Sequence, residues 1–352
     1  MNKWQILGLK GVGCVELELD SNQRVFTFLG TNGVGKTKTL EALFWFLLHQ
    51  TQDVCNLSIM HSLFSEISLN GEFIQGLHSR IAINKFSAIA YLGANKRSDV
   101  FKNLNLEEDI FNKHINYYLG QVDEAIENQT LNEIGMNQNI HKWFTERAKS
   151  VNPYQKEKDN RKIDIDTVLN ALNILDNRIE KTLKIDGNNN VFLIIEGQER
   201  ELSELSSGFI SVVKIVQSII SSYSAFTNAN NLLDIKGVVL IDEIESHLHS
   251  EWQIKIIPTL KNLFPNTIFY IATHSPLVLS QLNEGEAYLL KRDDDNVVRS
   301  HLINSPNTRL LEDVLQDAFG VHLNALKRKN MANIDQSKAK KKLLELLNSQ
   351  VS

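Results

Sequence analysis

Cysteine is nearly absent from this chain: only Cys14 and Cys55 occur among 352 residues. Neither has a metal-ligand spacing, and the pair makes no disulfide framework, so a reduced cytoplasmic setting is expected. An excess of positive charge is also missing. The net charge is −5, which argues against a general nucleic-acid coat but leaves a local basic patch open. The longest apolar stretch, LEALFWFLL, is far shorter than the ~20 residues that span a bilayer, so no membrane association is expected. The N-terminus, MNKWQILGLKGVGCVELELD, has no charged-then-apolar leader pattern. Sustained heptads are lacking, which excludes a long coiled-coil arm, and there is no internal repeat.

What is present is core-forming. Hydrophobic residues make up 42% and charged residues 22%, enough for one large or two modest domains. KWQILGL, GCVELELD and RVFTFLG read as short strands with turns between them. Leu40, Leu43, Phe44, Leu47 and Leu48 recur at helical spacing and predict a helix buried on one wide face. KFSAIAYLGANKR (85–97) predicts another buried strand. From about 100 to 190 the chain turns rich in Asn, Glu and Lys. There Ile165, Val168, Leu169, Leu172, Leu175, Ile179 and Leu183 predict one amphipathic helix. NVFLIIEG returns to strand. A helix over about 208–224, the wholly apolar strand GVVLID, a helix over about 250–263 and the strand TIFYIATHS follow. EAYLLKR and VVRSHLI flank DDDN as a hairpin, and the tail from about 308 reads as helical.

GTNGVGKT, which runs Gly30, Thr31, Asn32, Gly33, Val34, Gly35, Lys36, Thr37, lies between a strand and a helix, the setting of a phosphate loop. Its glycines let backbone N–H groups turn inward around phosphate oxygens, and the following helix start adds partial positive charge. Lys36 would reach the β- and γ-phosphates, the Thr37 hydroxyl would bind Mg²⁺, and Lys38 completes the nucleotide-binding run. Asp242 and Glu243 close an apolar strand, where ligands of open α/β sheets bind. Asp242 suits Mg²⁺ held through its water shell, and Glu243 suits a general base. His274 follows another buried strand and could hydrogen-bond the γ-phosphate.

Ser206, Ser207 and Gly208 open the helix near 208, giving free N–H groups, hydroxyls and close backbone approach. This makes a second anion site. One nucleotide does not need two phosphate-binding helix ends from the same chain. A head-to-tail homodimer, each signature helix closing on the partner's ATP, is the economical solution.

The order GTNGVGKT, LSELSSG, LIDEIESHLH, IATHSP resembles the ATP-binding-cassette class of P-loop ATPases. Within it, the LSSG and DE-x-E-x-HLH forms resemble the soluble RecF/SMC/OLD-like branch, and the PtuA-type ATPases of Septu and retron anti-phage systems. The resemblance implies an α/β fold with a mixed central sheet and a helical insertion lobe. The expected divisions are an ATPase core over 1–99 and 190–305, a helical insertion over 100–189 and a helical tail over 306–352. It also implies ATP and Mg²⁺ as ligands, ATP hydrolysis, and a switch role beside a separately encoded HNH-type effector nuclease. The chain departs from transport-type cassettes in having no clear glutamine loop. Gln75 is the nearest glutamine, and Asn95, Lys96 or Arg97 could replace it. Ile244 stands where proline is frequent, and Ser250 where HLHP is usual.

About 60 residues follow the last cassette strand, too few for a typical independent domain, and no nuclease metal spacing occurs. RDDDN (292–296) reads as a solvated hairpin turn. A RecF-like repair ATPase that binds DNA directly is the alternative. It would use the basic tail of Lys327, Arg328, Lys329, Lys338, Lys340, Lys341 and Lys342. A solvated or protein-docking helix is the plainer reading of that tail. The missing glutamine loop and the LSSG signature argue against a transporter subunit.

Overall fold

Strands buried on both faces and strands buried on one face sort into the two halves of a single mixed sheet. The structure is a computed structural model. It describes residues 1–51, 63–73, 86–95, 114–136, 139–156, 159–227 and 229–309, with isolated positions between 313 and 327. Strands β1 (Asn2–Leu9) and β2 (Gly13–Leu19) alternate buried and exposed positions, as antiparallel strands with one wet face do. In β3 (Val25–Leu29), β6 (Ala88–Leu92) and β10 (Gly237–Ile241) every residue is buried. With β4 (Glu66–Leu69), β5 (Glu72–Phe73), β11 (Thr267–Ala272), β12 (Ala287–Arg292) and β13 (Val297–Leu302), the order is β5-β4-β1-β2-β13-β12-β3-β11-β10-β6. The stretch from β12 to β6 is parallel throughout, and the β1–β2, β1–β4, β4–β5 and β12–β13 pairs are antiparallel. The expected α/β fold with a mixed central sheet is the one observed.

Helix α1 (Lys36–Gln50) runs through the core. It is buried all round from Thr39 to Leu48, more completely than the one face its leucines predict. That burial takes in Glu41, whose carboxylate meets Lys38 Nζ at 2.6 Å. Helices α3 (Ile140–Lys149) and α4 (Lys162–Leu175) form a small lobe, and α2 (His114–Glu127) packs separately against the long helix that follows and the central core. Helix α5 (Ser207–Phe226) packs on β6 and on this lobe, and α6 (Ser250–Leu263) and the single-turn α7 (Pro276–Leu279) follow. By length and hydropathy α5 could cross a membrane, which inspection of continuous apolar runs misses. However, 78% of its most apolar window is buried inside the protein, so it is a core helix.

One predicted helix is two elements. Helix α4 ends at Leu175, and Ile179–Ile185 forms strand β7, so Ile179 and Leu183 are strand residues. The spacing of four between Ile179 and Leu183 fits a 3.6-residue period and a two-residue period equally well. The tie is broken at Asp176–Arg178. Asp176 turns extended as the helix cap, its carbonyl accepts the Ile179 N–H at 3.0 Å, and its carboxylate pairs with Arg178 at 2.7 Å. β7 then pairs antiparallel with β8 (Val191–Ile195), and β8 with β9 (Gln198–Glu201). NVFLIIEG therefore belongs to a separate three-stranded sheet that straddles residue 190, not to the central sheet.

The chain divides into two compact units, Met1–Thr308 and Arg309–Ser352. The second falls almost wholly outside the described residues. Of the basic tail, Lys327 is described as exposed, and Arg328, Lys329, Lys338, Lys340, Lys341 and Lys342 lie outside them. RDDDN is the β12–β13 turn. Its acids face Arg299, which bonds Asp293 at 3.0 Å and Asp295 at 2.7 Å and reaches Glu16 at 2.9 Å.

A buried ion cluster holds the lobe together. Asp164 on α4 is fully buried. It accepts from Arg161 at 2.8 and 3.1 Å and from Arg147 on α3 at 3.2 Å. Arg161 also donates to the Ser224 carbonyl of α5 at 3.4 Å, and Arg147 lies 4.4 Å over the Trp143 ring. Removing one member of such a cluster strands the buried charge of the others. Asp164→Ala is therefore expected to cost about 3–5 kcal/mol, read as a lower midpoint in urea denaturation. Lys162→Ala, whose ion pair with Asp166 is exposed, should cost less than about 1 kcal/mol.

Candidate nucleotide site

Register brings the site together. Phe28 pairs with Ala272, Ile271 with Ile241, and Ile241 with Leu92, so β3, β11, β10 and β6 finish at one edge of the sheet. The four loops that follow them carry Gly30–Thr37, Thr273–Ser275, Asp242–His249 and Gly93–Asn95. A cleft of about 460 Å³ opens there, lined by Lys10, Gly11, Val12, Asn32, Gly33, Gly35, Lys36, Thr37, Lys38, Asp242, Glu243 and His274.

The phosphate loop depends on two tight glycines. Gly30 has φ 147°, and a Cβ there would lie 2.6 Å from the Leu290 carbonyl oxygen of β12. Gly35, at φ 109°, would press a Cβ to within 2.8 Å of the Val12 methyls. Lys36 is buried and folds over its own loop, donating to the Gly30 and Thr31 carbonyls at 2.9 and 3.2 Å. An ammonium has three N–H bonds, so one stays available for a phosphate oxygen. Burial holds the Lys36 pKa below the usual lysine range, while Asp242, Glu245 and Glu243 push it back up. Lys38 reaches the cleft, but its ammonium is bonded to Glu41. Its contribution to a phosphate is therefore its place in the first turn of α1.

The Thr37 hydroxyl donates to Asp242 Oδ2 at 2.9 Å, across 205 residues of sequence. A hydroxyl and a carboxylate converging beside a phosphate loop are the hard oxygen donors that Mg²⁺ takes, so the residues fit that ion together with a nucleoside triphosphate. Glu243 sits in the left-handed region at φ 45°, a conformation worth about 1–3 kcal/mol of strain for a residue with a Cβ. Two bonds from Ser246 hold it: N–H to the Glu243 carbonyl at 2.8 Å, and Oγ to its carboxylate at 3.0 Å. His274 is half-buried. Burial foremost, then the Lys36 charge, depresses its pKa below 6.5, with Glu245 and Glu243 opposing.

Ser206, Ser207 and Gly208 lie elsewhere. Ser206 caps α5 by accepting the Phe209 N–H at 3.3 Å, so that N–H is engaged while the Ser206 O–H is left to donate. It lines a different groove, about 710 Å³, with Phe209, Trp252 and Leu205. Gly208 lies against His249, where a Cβ would come within 2.6 Å of the ring and turn that side chain aside. Of the glutamine-loop candidates, Gln75, Lys96 and Arg97 lie outside the described residues. Asn95 is exposed, does not line the cleft, and donates its N–H to the Asn132 carbonyl at 3.1 Å.

Sequence reasoning passed over Lys10, Gly11 and Val12, the β1–β2 turn that forms one wall of the cleft. The GVG spacing marks a turn, but nothing in it says which loop the turn will face. Glu245 was also passed over as a functional residue, although the DE-x-E form displays it.

With a helix-opening Ser-Ser-Gly between the phosphate loop and the strand-end acids, this arrangement defines a P-loop ATPase of the ATP-binding-cassette class. Residues 94–280, more than half of the chain, match the family described as "AAA domain, putative AbiEii toxin, Type IV TA system", and the chain belongs to that family. The Septu protein PtuA of Bacillus thuringiensis is 25% identical over 90% of this chain and 83% of its own length. The Retron Vc95 probable ATPase of Vibrio cholerae is 34% identical over 33% of this chain, which spans 22% of that relative. Among solved structures, the SMC head domain from Thermotoga maritima overlays with a TM-score of 0.46 at 13% identity, over 86% of this chain and 98% of that one.

Two outcomes follow for the site. Lys36→Ala removes a charge-assisted bond worth up to about 3 kcal/mol and should weaken ATP binding by roughly 100-fold in calorimetry, without unfolding the chain. A histidine whose folded pKa is depressed stabilises the fold above its unfolded pKa near 6.5 and loses that contribution as pH falls below 6.5 through the lower folded value. Wild-type protein should thus lose more stability between pH 7 and pH 5 than His274→Gln, measured by urea denaturation at each pH.

Proposed function

We propose that this chain is the ATP-binding and ATP-hydrolysing switch subunit of a bacterial anti-phage defence system. The observation that carries the reading is the single cleft in which Lys36, the Thr37–Asp242 pair, Glu243 and His274 converge from three aligned strand ends. Lys36 offers its remaining N–H to the β- and γ-phosphates. Glu243 accepts the proton of the attacking water, the role a carboxylate fixed at a strand end suits. His274 donates one N–H to the γ-phosphate. Thr37 and Asp242 would hold Mg²⁺, which would supply charge neutralisation for the phosphates.

Ser206, Ser207 and Gly208 line no part of this cleft, which supports a signature that serves a second copy. The active form is then a head-to-tail homodimer with ATP between the subunits. Similarity to the Septu and retron proteins along the chain supports the defence setting. The output we propose is control of a separately encoded nuclease of HNH type by ATP occupancy, in the cytoplasm.

The native mass of the tagged chain, purified from its own operon with ATP and Mg²⁺, tests the reading. A dimer carrying a co-purified nuclease is expected; an ATP-independent monomer with no associated nuclease activity overturns it. Glu243→Gln should slow turnover by about 10²–10⁴-fold while accumulating the ATP-bound dimer in light scattering. Ser206→Arg should leave binding to the single chain nearly intact yet block turnover. Turnover that survives Ser206→Arg would remove the second copy from the mechanism.

A further inference from the structure

We infer that Glu245 is a positioning residue that tethers the His274 loop to the loop carrying Glu243, an inference that rests on the ATPase reading above. Its carboxylate bridges the two loops. Oε1 accepts the backbone N–H of His274 at 2.6 Å, and Oε2 accepts the Thr273 hydroxyl at 2.6 Å. Both are short, charge-assisted bonds, roughly twice as strong as neutral ones, and Thr273 is fully buried. The bridge closes into a circuit. Thr273 Oγ1 accepts the Ser275 N–H at 3.0 Å, and the Ser275 hydroxyl donates to Gln253 Oε1 at 2.7 Å. Gln253 Nε2 then returns to the Leu248 carbonyl, at 2.8 Å, on the loop that holds Glu245. Glu245 and Gln253 are thus two struts between the loops after β10 and β11.

The struts matter because His274 is only half-buried and the strand ends before it, at Ala272. Strand pairing does not fix where its ring stands; Glu245 fixes its backbone. The residue touches no reacting atom; it acts on turnover by positioning His274, beside a charge effect on Lys36 that Glu245→Gln isolates because it removes the charge and keeps the acceptor. Misplacing a phosphate ligand by about 1 Å costs on the order of 100-fold in rate, mostly in kcat when ground-state binding rests on the phosphate loop.

The test is a double-mutant cycle with a spectroscopic readout. Glu245→Ala should lower kcat by about 10–100-fold and leave KM within about three-fold. On a His274→Ala background the same change should cost less than about three-fold more, because coupled residues fail to add. Glu245→Gln keeps an acceptor for the His274 N–H and a polar partner for Thr273, and should recover most of the rate. Thr273→Val removes one of the two bonds and should fall between wild type and Glu245→Ala. This keeps the inference testable even if Glu245→Ala does not fold. Independently of turnover, the His274 imidazole resonance in histidine-labelled protein, assigned by its loss in His274→Ala, should split or broaden in Glu245→Ala and Thr273→Val. Equal losses on both backgrounds, or an unshifted and sharp His274 resonance, would overturn the inference. Failure of the wild type to hydrolyse ATP would instead remove the ATPase reading, while the resonance still decides the tether.

Discussion

The structure depends on the in-register parallel pairing of four strands. β3, β11, β10 and β6 end together because Phe28, Ala272, Ile241 and Leu92 occupy matching positions in the ladder. Any loop that follows one of these strands is delivered to the same edge. These strands are buried almost throughout, so a slip of register would have to repack side chains on both faces at once. Register brings the phosphate loop, the acids and the histidine to one edge, and direct bonds such as Thr37 to Asp242 then join them.

What register does not settle is left to local bonds. Glu243 is held in a left-handed conformation by Ser246, and the loop beyond it is stitched to the His274 loop through Glu245 and Gln253. Gly208 lies against His249 at the end of the same loop. The segment Glu243–His249 thus touches the cleft at one end and the start of α5 at the other. In a head-to-tail dimer, it would join the nucleotide a chain holds to the nucleotide it closes upon.

The lobe follows different rules. α3 and α4 cohere through the Arg147–Arg161–Asp164 cluster as well as through apolar packing, and the segment after α2 meets the sheet at a close backbone contact. A Cβ on Gly93 would lie 1.9 Å from the Asn132 carbonyl oxygen, and the Gly93 N–H donates to Ile134 at 3.0 Å. This contact sits at the end of β6, where transport-type cassettes place their glutamine loop.

The phosphate loop, the strand-end acids and the boundaries of α6 were legible in the sequence because each is a short-range pattern: glycines at fixed spacing, an apolar run closed by acids, a helical period after a cap. The end of α4 was not, because Ile179 and Leu183 satisfy two periods at once and only pairing with β8 decides between them. Nor was the β1–β2 turn as a wall of the cleft, since a turn signal carries no information about what it faces. The sequence alone determined which residues can do chemistry, through their types and local spacing. Tertiary structure decided which of them meet, because the strand order that places Thr37 against Asp242, and Glu245 against His274, is set by burial summed over the whole sheet.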